Sequence, residues 1–470
     1  MLSMDNVLAW GVEAAGAMAK VVKFETWKRG DKLKILLVGY NGKRNTGADV
    51  RVVEIVRQFN RVLGPDNIEI TVPTLKPEMT QVYFGPETKL SNLNSIFFKD
   101  VLDLCSHNHI AVISEGSTLK SQFANALTLY FCEAAGVMKK QGKPCIAYGS
   151  EAGRMDDFVR KVASEMCNET YFIARSEASL KIIEGMGLEG HIGSDTAWTF
   201  GPCGKAWVER ELREKTGWDG KKPLLGIAVI DPWSYPVKPN VSKMIKAAAT
   251  RNWENHYEKF YFFTASERNG KYPTYINGIA DSVNKFSAER DVHVVVVGMD
   301  ATDYDACRDL SGKIKGKPYI FSSRFYDGYQ ITGVLHSLSM LLTSRYHARV
   351  LSMTGGVPSI AISLDERLYN ILDECGHLDD YYLATDEKEL GRKLPPMMEK
   401  LWENREKVGG EIRECLPGYW KQMAQMGKFF RGYVEKSFPG IDLAREPADW
   451  LGYIPELDDD YKAILGGEAK

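Results

Sequence analysis

The chain has 470 residues, 60 Lys and Arg against 62 Asp and Glu, and a hydrophobic share of 44%. That composition excludes a disordered or collagen-like chain, and a formal net charge of −2 removes any electrostatic ground for a nucleic-acid partner. The length suits two or three domains, and eight scattered cysteines with no C-x-x-C pair and no Cys/His cluster at zinc spacing fit a reduced, cytoplasmic chain without a metal site.

Met4, Leu8, Val12, Ala15, Met18 and Val22 recur at helical spacing and predict an amphipathic helix within an N-terminal lead-in, residues 1–32, that packs on the body of the protein. Asp5 and Glu13 interrupt it as a signal-peptide core, and Trp10 and Phe24 suggest a sharper use, peripheral contact with a membrane or a partner. No apolar run approaches the ~18 residues of a transmembrane segment. From residue 33, short apolar runs alternate with helix-length stretches: Lys34 to Val38, Ile68 to Val72, Ile110 to Ile113, Cys145 to Tyr148 and Tyr171 to Ala174. Such strands predict a parallel sheet covered on both faces, an N-terminal Rossmann-like domain over 33–202.

Gly201, Pro202 and Gly204 break the pattern, which restarts at Leu224 to Ile230. It continues through Phe260 to Thr264, His293 to Val297, Tyr319 to Phe321, Met340 to Thr343 and Ser359 to Ile362, a second Rossmann-like domain over 203–388. Residues 389–470 read as C-terminal helices followed, from Ser437, by a Pro-, Gly- and Asp-rich tail that wraps over the surface. The predicted class is α/β: two doubly wound domains facing each other across a cleft, with a helical C-terminal extension.

In open α/β sheets ligands bind beyond the carboxyl ends of the strands, so candidate residues lie just after strands. Gly39 to Asp49 is a glycine-rich turn running into a helix, suited to an anion or to sugar hydroxyls, with Asn45, Gly47 and Asp49 as candidates. It is neither a dinucleotide fingerprint nor a P-loop, and the plainer reading is a glycine turn with Asp49 capping or entering the helix. Glu115 and Gly116 follow the strand ending at Ile113; Glu115 stands over the cleft or caps a helix through Ser117 and Thr118. Arg175 follows Ala174, where its planar fork suits a carboxylate or phosphate, unless it pairs with Glu177 or another acid. Asp195, after Gly193-Ser194, completes this half of the cleft or only ends a strand.

The most informative segment is Leu341 to Arg349, followed by Gly355-Gly356-Val357-Pro358. Ser344 is the predicted N-cap, which places Arg345 and His347 in the first helical turn. The helix dipole lowers the imidazolium pKa and a bound phosphate raises it, so His347 is poised to exchange a proton near neutrality. Asp300, after Gly298-Met299, also follows a strand and is placed to meet a ligand, with helix capping the plainer reading.

Together these segments resemble the polysaccharide pyruvyl transferase family over roughly residues 33 to 376: Gly39 to Asp49, Glu115-Gly116, Arg175 to Ser179, and Arg345-Tyr346-His347-Ala348 followed by Gly356-Val357-Pro358. The chain departs from the family pattern at Ala48, Glu115 and Tyr346. The resemblance implies a GT-B-like architecture and transfer of a pyruvyl group from phosphoenolpyruvate onto a saccharide, free or lipid-linked, as a ketal. It implies no cofactor beyond that donor and no metal. Arg175 and Arg345 would hold the donor's carboxylate and phosphate, with Asn45, Gly47, Asp49, Glu115, Gly116 and Ser344 lining the site. His347 would protonate the vinylic carbon, and Glu115 or Asp49 would orient the acceptor. Loops at Asp231 to Asn240 and Asn269 to Thr274 would select that acceptor. Two alternatives share the same cleft: a nucleotide-sugar glycosyltransferase, and a catalytically silent glycan-binding protein.

Overall fold

The computed structural model describes residues 4–94, 96–235, 237–239, 261–263 and 268–467. The first sheet holds β1 (Leu33–Val38), β2 (Ile68–Thr74), β3 (Thr88–Asn92), β4 (Ile110–Ile113), β5 (Cys145–Ser150), β6 (Thr170–Ala174) and β7 (Gly190–Ile192), in the spatial order β3-β2-β1-β4-β5-β6-β7. β8 (Leu224–Ala228) opens the second; β9 (Val237–Pro239) and β10 (Tyr261–Phe263) form a separate antiparallel ribbon. β11 (His293–Gly298), β12 (Ile320–Ser322), β13 (Met340–Thr343), β14 (Ser359–Ile362) and β15 (Tyr382–Leu383) complete a second sheet ordered β12-β11-β8-β13-β14-β15. Both sheets pair in parallel and share the doubly wound order, in which the strand sequence reverses beside the first strand of each domain. Those reversals open crevices beyond β1 and β4 and beyond β8 and β13.

Alternation along β1 shows why both faces are covered: Leu33, Ile35 and Leu37 enter one apolar core, Leu36 and Val38 the other. On the second face lies the helix Met4–Met18, with Ala9, Val12 and Ala15 buried. Trp10 is 55% exposed, whereas Phe24 is half-buried beneath the Lys143 ammonium, 5.2 Å from its ring centroid, so the docking role read for Phe24 does not hold. No helix among the described residues is long and apolar enough to cross a membrane.

Of the strands missed in the sequence, β3, β7 and β15 lie at sheet edges, where short partly exposed segments carry no continuous apolar run, and β9 falls within a segment read as an acceptor loop. The strand expected over 260–264 is seen as β10, outside both main sheets; Phe260 and Thr264 lie outside the described residues, as do Pro236 and Asn240 of the first acceptor loop. The second expected loop, 269–274, is instead the start of the helix Arg268–Glu289, with Tyr272 buried.

The C-terminal extension is a 48-residue helix, Leu390–Ser437, that returns to the first domain. Trp420 donates its indole N–H to the Trp198 carbonyl (2.9 Å), Gln58 donates to the Met423 carbonyl (2.9 Å), and Phe430 stacks on Phe59 with centroids 3.9 Å apart. The tail does more than wrap: Tyr453, Ile454, Leu457 and Tyr461 are buried, and the Tyr461 hydroxyl donates to the Phe200 carbonyl (2.9 Å).

Glu133, on the helix Asn125–Lys140, is fully buried and neither carboxyl oxygen has a hydrogen-bond partner. Burial pushes its carboxyl up to about 9, with Asp100 adding to the effect. The folded chain therefore keeps a proton that the unfolded chain releases above its ordinary 4.5, so this group's stabilising contribution is lost as pH rises from about 4.5 to about 9. Glu133→Met is expected to stabilise the protein by on the order of 3 kcal/mol at pH 8 and by little at pH 4. Melting curves of both proteins across that range check it; parallel pH profiles refute it.

Candidate functional site in the interdomain cleft

A small cavity of about 90 Å³ opens where the two crevices meet, lined from the first domain by Asn45, Gly47, Glu115, Ser117 and Phe123 and from the second by Tyr235, Asp300, Arg345, His347 and Arg367. Asn45 caps the helix Thr46–Leu63: its Oδ1 accepts from Ala48 N (3.1 Å), and its Nδ2 donates across the cleft to Asp300 Oδ2 (2.7 Å). Beside it, Thr46 N donates to the Met299 carbonyl (2.8 Å). The cap read for Asp49 is thus supplied by Asn45. Asp49 is buried behind the turn, 3.3 Å from the Tyr83 hydroxyl that donates to it; burial raises its carboxyl to about 7.

Gly47 and Gly116 are glycines because side chains occupy the space a Cβ would need. At Gly47 that side chain is His347, through Nδ1; at Gly116 it is the guanidiniums of Arg51 and Arg175. Glu115 Oε1 accepts from its own turn, Gly116 N (2.8 Å) and Ser117 N (3.4 Å). The next helix begins only at Asn125, so the helix-capping alternative for Glu115 is excluded, and its carboxylate lines the cavity.

On the second domain the chain leaves β13 and enters the helix Tyr346–Thr354 with Arg345 as N-cap. Ser344 is not the cap: its hydroxyl is buried against Tyr275 Oη (2.6 Å), away from the cavity lining, so both its capping and its substrate-contact readings are corrected. The Thr343 hydroxyl takes the local role and accepts from Arg345 N (2.9 Å). Arg345 donates Nε to Asp303 Oδ2 (2.8 Å) and pairs through Nη2 with Asp303 Oδ1, which aims its guanidinium along the cavity wall.

His347 occupies the second helical position, with Nε2 3.6 Å from Asp195 Oδ2, a charge contact rather than a hydrogen bond. Burial lowers its imidazolium below the ordinary value, and the Asp195 carboxylate works against that. Asp195 is itself fixed by charge. Burial alone would raise its carboxyl, but Arg51, His347 and Arg175 more than offset this and hold it well below the usual range.

Arg175 is not free to take a ligand from the cavity. Nη1 donates to Asp195 Oδ2 (2.6 Å), and Nε (3.1 Å) and Nη2 both go to Glu151 Oε2; the pairing with an acid is made, though not with Glu177. It lines a neighbouring cavity of about 350 Å³ that Arg345 does not line, and its guanidinium carbon lies 4.8 Å from the Tyr346 ring centroid. The expectation that Arg175 and Arg345 converge on one ligand is corrected accordingly.

Arg367, which the sequence reading passed over, spans both cavities, as Tyr346 does. It packs over Tyr346 and Phe123, each ring centroid 5.3 Å away, is held bidentately by Asp365, and reaches Ser117 Oγ at 3.4 Å. A signal was present: Asp365-Glu366-Arg367 follows the strand β14, where the strand-end criterion directs attention. Arg51, Lys120 and Glu151 were also missed. All three are buried, with Lys120 Nζ donating to Glu151 Oε1 (2.6 Å), so they form the charged floor beneath the cleft.

Chemically, the cavity offers an imidazole at a helix N-terminus, two guanidiniums for anionic groups, and the Glu115 carboxylate. Among the described residues, no group of three His, Cys, Asp or Glu side chains is placed to hold a metal ion.

No curated protein matches the chain in sequence. Among solved structures it is similar to a Listeria monocytogenes protein described as a UDP-N-acetylglucosamine 2-epimerase, at 10% identity and a TM-score of 0.54, covering 89% of this chain and 99% of that one. A second UDP-N-acetylglucosamine 2-epimerase structure gives 9% identity and 0.55 over 87% and 99%. At such identities the likeness shows the fold, a GT-B-like pair of α/β domains with a helical C-terminal region. A model of the polysaccharide pyruvyl transferase family matches residues 45–366, well over half of the chain. The chain, whose cleft is built from the segments that carry the sequence resemblance, belongs to the polysaccharide pyruvyl transferase family.

Proposed function

We propose that this chain transfers a pyruvyl group from phosphoenolpyruvate to a saccharide, forming a cyclic ketal. The observation that carries the reading is His347 in the first turn of a helix, on the wall of the cleft cavity together with Arg345 and Arg367. The donor bears a carboxylate and a phosphate, which the two guanidiniums match. The His347 imidazolium delivers its proton to the methylene carbon, leaving an oxocarbenium-like centre; a sugar hydroxyl attacks it, phosphate leaves, and a second hydroxyl closes the ring. Glu115 accepts the proton of the attacking hydroxyl. The reaction as written needs no metal and no cofactor beyond the donor. Asn45 and Gly47 supply the helix turn against which the imidazole rests, and Asp49 is buried behind that turn.

Phe123 and Tyr235, whose rings meet edge-on at 5.4 Å on the cavity wall, give the acceptor sugar apolar faces to lie against. Val7, Trp10, Met18 and Val21 are exposed on or just after the N-terminal helix, which supports peripheral contact with a membrane bearing a lipid-linked acceptor on its cytoplasmic side.

Phosphate release from phosphoenolpyruvate, measured across a panel of saccharide acceptors, is expected to rise with one acceptor class. Release of a nucleoside diphosphate from a nucleotide sugar, with phosphoenolpyruvate left intact, would establish the glycosyltransferase reading instead. Donor-induced melting shifts with neither turnover would establish a binding protein.

A further inference from the structure

Away from the cleft cavity, a second reactive cluster lies on the flank of the second domain. Cys375 ends the helix Glu366–Glu374, and Cys415 sits on the long helix Leu390–Ser437; both are half-buried, and the two thiols shift each other's titration. Behind them is Arg349, fully buried. Its Nη1 donates to the Ser359 hydroxyl (2.7 Å), but Nε and Nη2 have no hydrogen-bond partner, and the strongest charge interaction of the guanidinium is with the Cys375 thiol. The surroundings are completed by Tyr419, whose hydroxyl lies 3.8 Å from Cys375 Sγ and donates to Glu374 Oε2 (2.9 Å), and by Glu414 beside Cys415.

A buried guanidinium is costly to hold without an anion, and none of the carboxylates around it bonds it. The thiolate of Cys375 meets that need. We propose that Cys375 is a peroxide-reactive thiolate and Cys415 its resolving thiol, so that the pair is a redox modification site of this enzyme. A hydroperoxide supplies the oxidant. The Cys375 thiolate attacks its distal oxygen, forming an S–O bond while the O–O bond breaks and leaves as water or alcohol after protonation. Cys415 then attacks the resulting sulfenic sulfur as its thiolate, an S–S bond forms, and the hydroxyl leaves as water, so two thiols are oxidised and one peroxide is reduced.

Charge supports the division of roles. The Cys415 thiol and the Arg349 guanidinium, outweighing burial, hold the Cys375 thiol below its ordinary range, whereas Cys415 is driven upward by Cys375 and by burial. A half-buried thiol elsewhere, Cys203, gives an internal comparison: burial raises it to about 11. The link has a route to the site, because the helix that Cys375 terminates carries Arg367 in its first turn, and the helix bearing Cys415 rests on both domains.

The test uses the intact wild-type protein, so it does not depend on a variant that folds. At pH 7, iodoacetamide should label Cys375 at least 100-fold faster than Cys203, with little further gain for Cys375 up to pH 8.5. After stoichiometric hydrogen peroxide, non-reducing peptide mapping should yield a disulfide-linked peptide containing Cys375 and Cys415, reversed by dithiothreitol. Cys415→Ser should stop the reaction at the sulfenic stage on Cys375, trapped by dimedone. Labelling of Cys375 no faster than Cys203, or absence of the linked peptide while Cys375 is oxidised, overturns the proposal.

Discussion

His347→Gln is expected to lower turnover of phosphoenolpyruvate by ~100- to 10,000-fold, the usual worth of a general acid, with the melting temperature unchanged. Glutamine fits the space left open at Gly47 and keeps a polar group beside Asp195, so a structural effect is not what the assay reads. The wild-type pH profile carries the sign. Because burial holds the free imidazolium below its ordinary 6.5, kcat/KM should fall as pH rises through a midpoint below 6.5. A bound phosphate raises that pKa, so kcat should fall at higher pH than kcat/KM does. Steady-state kinetics from pH 5 to 9 check this; the donor's own ionisation is common to both proteins and is what remains in the variant. Undiminished turnover with both substrates saturating would remove His347 from the chemistry.

Asp195→Asn should have the largest effect on stability, about 3 to 5 kcal/mol, because it leaves the Arg51 and Arg175 guanidiniums buried without their shared carboxylate. The substitution keeps shape and removes charge, so a cavity is not the cause. The sign with pH follows from the depressed carboxyl. Its stabilising contribution is present above the unfolded value of 3.8 and is lost as pH falls toward its lower folded value, so the variant's stability should decline less steeply on acidification than the wild type's. Denaturant unfolding at pH 7 and pH 3.5 measures both. The variant should also move the kcat/KM limb to lower pH, since the His347 imidazolium loses its counterion.

The two sheets and the strand-end location of the cleft were legible because buried parallel strands leave uninterrupted apolar runs and the ligand crevice follows from their order. Arg345, His347, Glu115, Gly47 and Asn45 were found by that rule alone and do line one cavity. What was illegible depends on partners distant in sequence. Ser344 has the composition of a cap, yet Tyr275, 69 residues earlier, captures its hydroxyl. Arg175 looks like a free fork until Glu151 and Asp195, arriving from other strand ends, occupy it. Arg367 gains its place from Phe123 and Tyr346 on opposite domains, a juxtaposition no local pattern encodes.

The dual use of Asn45 has a consequence for motion. One carboxamide both starts the helix at Thr46 and fastens the halves through Asp300, and the neighbouring Thr46 amide is fastened to Met299. Gaping of the cleft and fraying of that helix end are therefore a single event, and solvent exchange at one amide proton, that of Thr46, keeps time with the breathing of the whole molecule.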